Sequence, residues 1–167
     1  MNSNDFLLDN IDFLFQETER IENLLKKYLE KIVFITRASF GALYLNNNPD
    51  GKEKKIKLFS KIGNYDAPNF ISNNDKLYCF LNESREFVVL TRRKESSFSS
   101  ILLNGNMRSG IAITVINKNL INAVIILNFI NNKKINNAMI MQIEKFKKII
   151  DLMQEYFISD KLSNIAD

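Results

Sequence analysis

Few residues in this chain have the types and spacing that chemistry needs. It contains no histidine and a single cysteine, Cys79. Ser-His-Asp and Cys-His mechanisms are therefore excluded, as is haem held by a proximal histidine. One thiol cannot form an internal disulfide, and no group of side chains has zinc-ligand spacing. Cys79 lies within Leu77-Tyr78-Cys79-Phe80-Leu81, an apolar helical stretch, and reads as an inert small hydrophobe. Asp50, Asp66 and Asp75 stand in turn-like stretches and read as turn formers. No glycine-rich phosphate loop is present, and Asn104-Gly105 is a turn signal. The expectation is a protein that is not an enzyme and holds neither a cofactor nor a metal.

Composition narrows the partners. Lys and Arg total 23 against 19 Asp and Glu, a net charge of +4 and a pI near 9.1, but the basic residues are spread along the chain. A nucleic-acid footprint gathers them on one surface, so no nucleic-acid partner is expected. The acidic N-terminal stretch lacks the basic region of a signal peptide, and the longest apolar runs fall far short of a membrane span. The expected location is the cytoplasm, with no membrane partner. With 167 residues, 46% of them apolar, the chain suits one domain with a sizeable core.

The elements that would position any site follow from periodicity. Asp9 to Arg37 contains no Gly or Pro and reads as a helix of roughly eight turns. Ile11, Leu25 and Ile32 fall at one heptad core position, and Leu14, Ile21, Tyr28 and Ile35 at the other. Phe15, Leu24, Leu29 and Val33 widen the stripe, so two sides of the helix are apolar. Ser39–Leu45 and Lys55–Ile62 read as a strand pair around a turn at Asn46–Gly51. Asn69-Phe70-Ile71 and Leu77–Leu81 suggest short helical turns, and Glu86–Thr91 a third strand. Arg92–Asn106 is polar and serine-rich, a loop with a short helix. Arg108–Ile116 and Leu120–Ile130 are β-branched runs joined by the tight connection Asn117-Lys118-Asn119. From Asn136 to Ser159 the helical period returns, with Met139, Ile143, Phe146, Ile150, Met153 and Phe157 at core spacing. Ile149, Leu152 and Tyr156 form a second stripe beside it.

This order predicts an α+β fold: a mainly antiparallel sheet of five or six strands, both long terminal helices on one face, short helices and loops on the other. Residues 1–37 form the N-terminal helix, 38–135 the sheet and pocket region, and 136–167 the C-terminal helix of the same domain. Across nearly its whole length the chain resembles the GAF family. Ala38-Ser-Phe-Gly-Ala-Leu-Tyr-Leu45 is similar to the family's first strand, and Leu77–Leu90 to the helix leading into the central strand. Ser109–Val115 and Leu120–Leu127 are similar to the last hairpin, with Thr114 where the family often has Pro and Asn122 where it often has Gly. The PAS family shares the layer plan and is the alternative fold.

The resemblance implies a regulatory domain that senses a small molecule held between the sheet and the segments Gly63–Glu83 and Arg92–Met107. Candidate lining residues are Tyr65, Phe70, Tyr78, Phe80, Phe98, Leu102, Met107 and Thr114; Tyr78 and Phe98 are preferred. Such a pocket would be apolar with few polar handles; the bland alternative is that these side chains only fill the core. Arg92-Arg93-Lys94, flanked by Glu95, reads as a solvated loop, or as an anion-facing entrance to that pocket. Cyclic-nucleotide-binding members carry Asn-Lys, Phe and Asp-Glu after the last strand; here Asn132-Lys133 is followed by Ile135 and by Met139-Ile140, which departs from that signature. Bilin-binding members use a cysteine and typically a histidine, and the methionine-sulfoxide reductases of the family use several cysteines; neither set is complete here. The terminal helices are expected to form a homodimer through a four-helix bundle, with Leu14, Ile21, Leu25, Tyr28, Met139, Phe146, Met153 and Phe157 at or just beneath the seam. No output segment is visible, so any signal would pass to a downstream signalling protein. The alternative function is a ligand-free dimerisation or protein-interaction module.

Overall fold

A run without Gly or Pro and with strong helix formers gives helix α1, Thr18–Thr36. In the structure, a computed structural model, the described residues are 18–46, 55–72, 74–84, 87–91, 107–117, 120–131 and 136–163. The part of the expected N-terminal helix before Thr18 lies outside them. Leu25, Tyr28, Leu29 and Ile32 are buried at helical spacing, one stripe facing the sheet. Ile35, which a strict heptad puts inward, is 41% exposed, and Thr36 takes the inward place. The reason is geometric: a straight helix of 3.6 residues per turn drifts away from a repeat of 3.5. Thr36 is tolerated there because its Oγ1 donates to the Ile32 carbonyl at 2.7 Å.

The helix ends in a Schellman motif. Arg37 adopts φ 55°, its N–H donates to the Phe34 carbonyl, and the Ala38 N–H donates to the Val33 carbonyl. The chain then enters β1, Phe40–Leu45, which pairs with β2, Lys55–Ile62, which pairs in turn with β3, Phe70–Ser72. Helix α2 spans Lys76–Ser84 and leads to β4, Phe87–Thr91. Strands β5, Ser109–Asn117, and β6, Leu120–Phe129, form the last hairpin, and helix α3 spans Asn137–Ser163. Asn136 caps α3, its Oδ1 accepting from the Met139 N–H at 2.9 Å. The Asn69–Ile71 stretch is thus an edge strand rather than the expected helical turn. Three residues carry too little pattern to tell the two apart, and Ile56↔Ile71 pairing decides it.

Among the described residues the sheet has six strands in the order β3-β2-β1-β6-β5-β4, every neighbour antiparallel. Alternation sends side chains to two separate cores. One gathers the inward stripe of α1 and Met139, Ile143, Phe146 and Ile150 of α3 with Leu43, Ile113, Ile125 and Leu127 of the sheet. Helix α1 lies over β1 and β2, and α3 over β5 and β6. The two helices meet where Tyr28 and Phe146 bring their rings to 6.2 Å. The other core lies on the opposite face, under α2. A β-bulge between Val115 and Ile116 lets Ile121 join this second core with Val124 and Ile126, despite the odd spacing.

Helix α1 sits close to the sheet because β1 has Gly41 beneath it. A Cβ there would collide with Val33 and crowd Leu29 and Leu127. Gly41→Ala is expected to cost about 1–3 kcal/mol, read as a lower urea midpoint at unchanged slope. Arg37→Gly, which relieves a left-handed conformation, is expected to add about 1 kcal/mol in the same assay.

Candidate ligand-binding site

The α2 side of the sheet is built from Phe40, Ala42 and Tyr44 of β1, Ile56, Ile71, Leu77 and Leu81, and Ala112, Val124 and Ile126 of the central hairpin, with Met107 at the start of that hairpin. Leu77 and Leu81, one helical turn apart, face the sheet. Cys79, between them, points away from the sheet and is exposed, in no disulfide. Read from its apolar surroundings as an inert small hydrophobe, Cys79 is instead on the outer side, because the inward face of α2 is filled by the two leucines.

The sequence-derived pocket residues divide on this surface. Met107 and Thr114 are completely buried. Tyr65 is half-buried and meets Phe40 edge-on, with ring centroids 5.5 Å apart. Tyr78 packs against the same core, and burial raises its phenol pKa, with Cys79 adding to the shift. Phe70 stands apart. It is 50% exposed because it alternates with buried Ile71 on the edge strand, and the Lys55 ammonium lies 5.5 Å from its ring centroid. The side chain of Phe80, and all of Phe98 and Leu102, lie outside the described residues, as do Arg92-Arg93-Lys94, Asn104-Gly105, Asn132-Lys133 and Asp50. Asp75 is a turn former: its Oδ2 accepts from the Ser72 N–H at 2.7 Å just before α2.

Polar groups on this face are few. Tyr44 is deeply buried and its hydroxyl donates to the Pro68 carbonyl at 2.9 Å, tying the segment after Gly63 down onto the sheet. Burial raises its pKa well above the ordinary tyrosine value. Asn128 is 1% exposed, in register with Phe40 on one side and Gly110 on the other. Its Oδ1 has no hydrogen-bond partner among the described residues. Leaving such an acceptor unpaired costs about 1–3 kcal/mol. Sequence reading missed this residue. Its signal, an asparagine inside the apolar run Ala123–Phe129, is masked by the abundance of asparagine elsewhere.

Two open grooves lie on the other side, at the end of the terminal helices. One, of about 750 Å³, is lined by Glu30, Val33, Phe34, Ile35, Arg37, Ala38 and Ile62. The other, of about 320 Å³, is lined by Ile35, Arg37, Asn136, Ala138, Met139 and Gln142. Ile35 and Arg37 border both. Of the sequence-derived dimer residues, Leu25, Tyr28, Met139 and Phe146 are buried in this chain's own core. The side chains of Leu14, Ile21, Met153 and Phe157 lie outside the described residues. Among the described residues of α1 and α3, the large apolar side chains that face solvent are Phe34, 84% exposed, Met141, 62%, Leu152, 46%, and Ile35. Among the described residues no three His, Cys, Asp or Glu side chains group to hold a metal. No described helix is long and apolar enough to cross a membrane.

No protein-family model and no curated protein matches the chain. Solved structures do. The GAF domain of a phosphoenolpyruvate-protein phosphotransferase from Acinetobacter superposes with a TM-score of 0.70 at 13% identity, over 95% of this chain and 97% of that one. The GAF domain of a two-component sensor histidine kinase from Bacillus halodurans gives 0.67 at 14%, over 87% and 98%. The free methionine-R-sulfoxide reductase of Neisseria meningitidis, solved with its substrate, also gives 0.67 at 14%, over 86% and 83%. The chain therefore has the GAF fold, an architecture shared by regulatory domains and by at least one kind of enzyme.

The Tyr44 phenol is protonated in the folded state beyond the pH at which an unfolded tyrosine ionises, near 10. Its contribution to stability is complete below that pH. It is lost as the pH rises further, because the unfolded chain releases the proton first. Chemical denaturation between pH 8 and 11 is expected to show falling stability above about pH 10, with a shallower fall in Tyr44→Phe.

Proposed function

We propose that the chain is a non-catalytic regulatory domain that holds a small molecule between its sheet and α2 and passes the signal through a homodimer of its terminal helices to a downstream protein. The observation that carries this reading is the likeness to GAF domains over almost the entire chain. The reductases of this fold are the competing reading. They resemble this chain in architecture, but their chemistry uses several cysteines, and this sequence has only Cys79, set on the outer side of α2.

The dimer part rests on surface chemistry. Helices α1 and α3 have spent their inner stripes on the chain's own core, yet Phe34, Ile35, Met141 and Leu152 remain exposed. A second copy laid against these helices removes that surface from water. Each large side chain so buried contributes on the order of 1.5–3 kcal/mol before the entropy cost of association.

Native mass spectrometry of freshly purified protein tests the sensing part: a retained small molecule supports it, and clean apo dimer favours the interaction module. The complete burial of Met107 and Thr114 on the α2 side is the observation that keeps that second reading in play. Sedimentation equilibrium at micromolar protein is expected to give a dimer. Phe34→Glu and Met141→Glu together should weaken it at least tenfold, and a monomeric wild type would refute the helical seam.

A further inference from the structure

Strand β6 carries two buried asparagines, and their settings differ. Asn122 sits at the β-bulge, where its carbonyl accepts from the Asn46 N–H at 2.7 Å. Asn128 lies in regular pairing near the other end of the strand. Its backbone carbonyl accepts there from the Ser39 N–H at 2.8 Å. Its side chain points to the α2 side, as Val124 and Ile126 do at the same alternation. The neighbours on that side are the Phe40 ring, with Tyr65 against its edge, and Gly110.

Gly110 is what gives the amide its room. A Cβ on residue 110 would stand 2.6 Å from Asn128 Oδ1, so any other residue displaces it. A leucine or valine at 128 would fill a sheet interior without an unpaired polar atom. The pair as it stands is thus a buried acceptor over a glycine, beside two aromatic rings. That Oδ1 makes no hydrogen bond among the described residues.

We propose that Asn128 is the polar anchor of the ligand site: its Oδ1 accepts a hydrogen bond from an N–H or O–H of a small, mainly apolar ligand lying against Phe40 and Tyr65. The inference rests on the sensing reading above and narrows it to a ligand class. An acceptor at this point repels a carboxylate or phosphate oxygen, so the end of the ligand that enters here is a donor. Gly110 acts as a positioning residue by leaving the amide in place.

Matched fragments test this in the full chain. Indole is paired with benzofuran, and acetanilide with N-methylacetanilide, each pair differing at the donor; affinities come from ligand-observed NMR titration. The N–H member of each pair is expected to bind wild type about tenfold tighter, the discrimination one hydrogen bond provides. In Asn128→Leu the preference should vanish while the melting temperature holds or rises. Gly110→Ala keeps the asparagine and moves its amide, and carries the comparison if the leucine variant fails to fold. Equal binding of both members to wild type, unchanged in the variants, overturns the anchor and leaves the sensing reading standing. A preference for benzofuran overturns the donor class. Absence of binding by all four fragments, with no small molecule retained in native mass spectrometry, removes the sensing reading and this inference with it.

Discussion

Strand β6 is buried on both faces from Ile121 to Phe129, and the remaining structure follows from that requirement. Water cannot reach its backbone, so β1 and β5 must satisfy it along the full length. Its side chains project both ways, so each face of the sheet needs a cover. On one face α1 and α3 provide it, held close by Gly41 and joined at Tyr28 and Phe146. On the other, α2 provides it through Leu77 and Leu81. The two faces then serve different purposes. The helical side is a largely apolar layer with an exposed outer rim, and the α2 side holds the buried Tyr44 hydroxyl and the Asn128 amide.

Much of this was legible in the amino-acid sequence, for reasons that differ by element. The β-branched runs of β5 and β6 and the hairpin around β1 and β2 announce themselves because strand patterning is local. Helix α2 was visible in Leu77–Leu81. The short β3 was not, since its identity depends on pairing with β2 rather than on its own residues. Of the heptad positions of α1, Leu25, Tyr28 and Ile32 face the sheet and Ile35 faces solvent, where the heptad and the real helical period part company; which apolar side faces inward is not written in the helix alone. The preference of α2 for Leu77 and Leu81 over Cys79 likewise depends on which face meets the sheet, and no local pattern states that.

The site was harder to read than the fold. Aromatic residues near the expected pocket could be named, but exposure sorts them only after the strands are placed: Tyr65 turns toward Phe40, and Phe70 turns outward. Asn128 illustrates the limit. Its importance arises from a missing partner and from a glycine on the neighbouring strand, both long-range facts. A core pattern is also shared by any sequence that builds the same layers, which is how a fold persists at 13% identity while the residues of a pocket are free to differ.

The strand order has one further consequence. Strands β1–β3 and β4–β6 are each a meander of neighbours in sequence, and the ladder between β1 and β6 is the seam of the sheet. That seam brings together segments from opposite ends of the sheet's chain, an expensive loop to close. A growing polypeptide therefore reaches its last strand with the backbone N–H and C=O groups on that edge of β1 still unpaired. The β1–β6 seam can close only once β6 has been made, and α3, which packs on α1 as well as on β5 and β6, follows all of these strands in the chain.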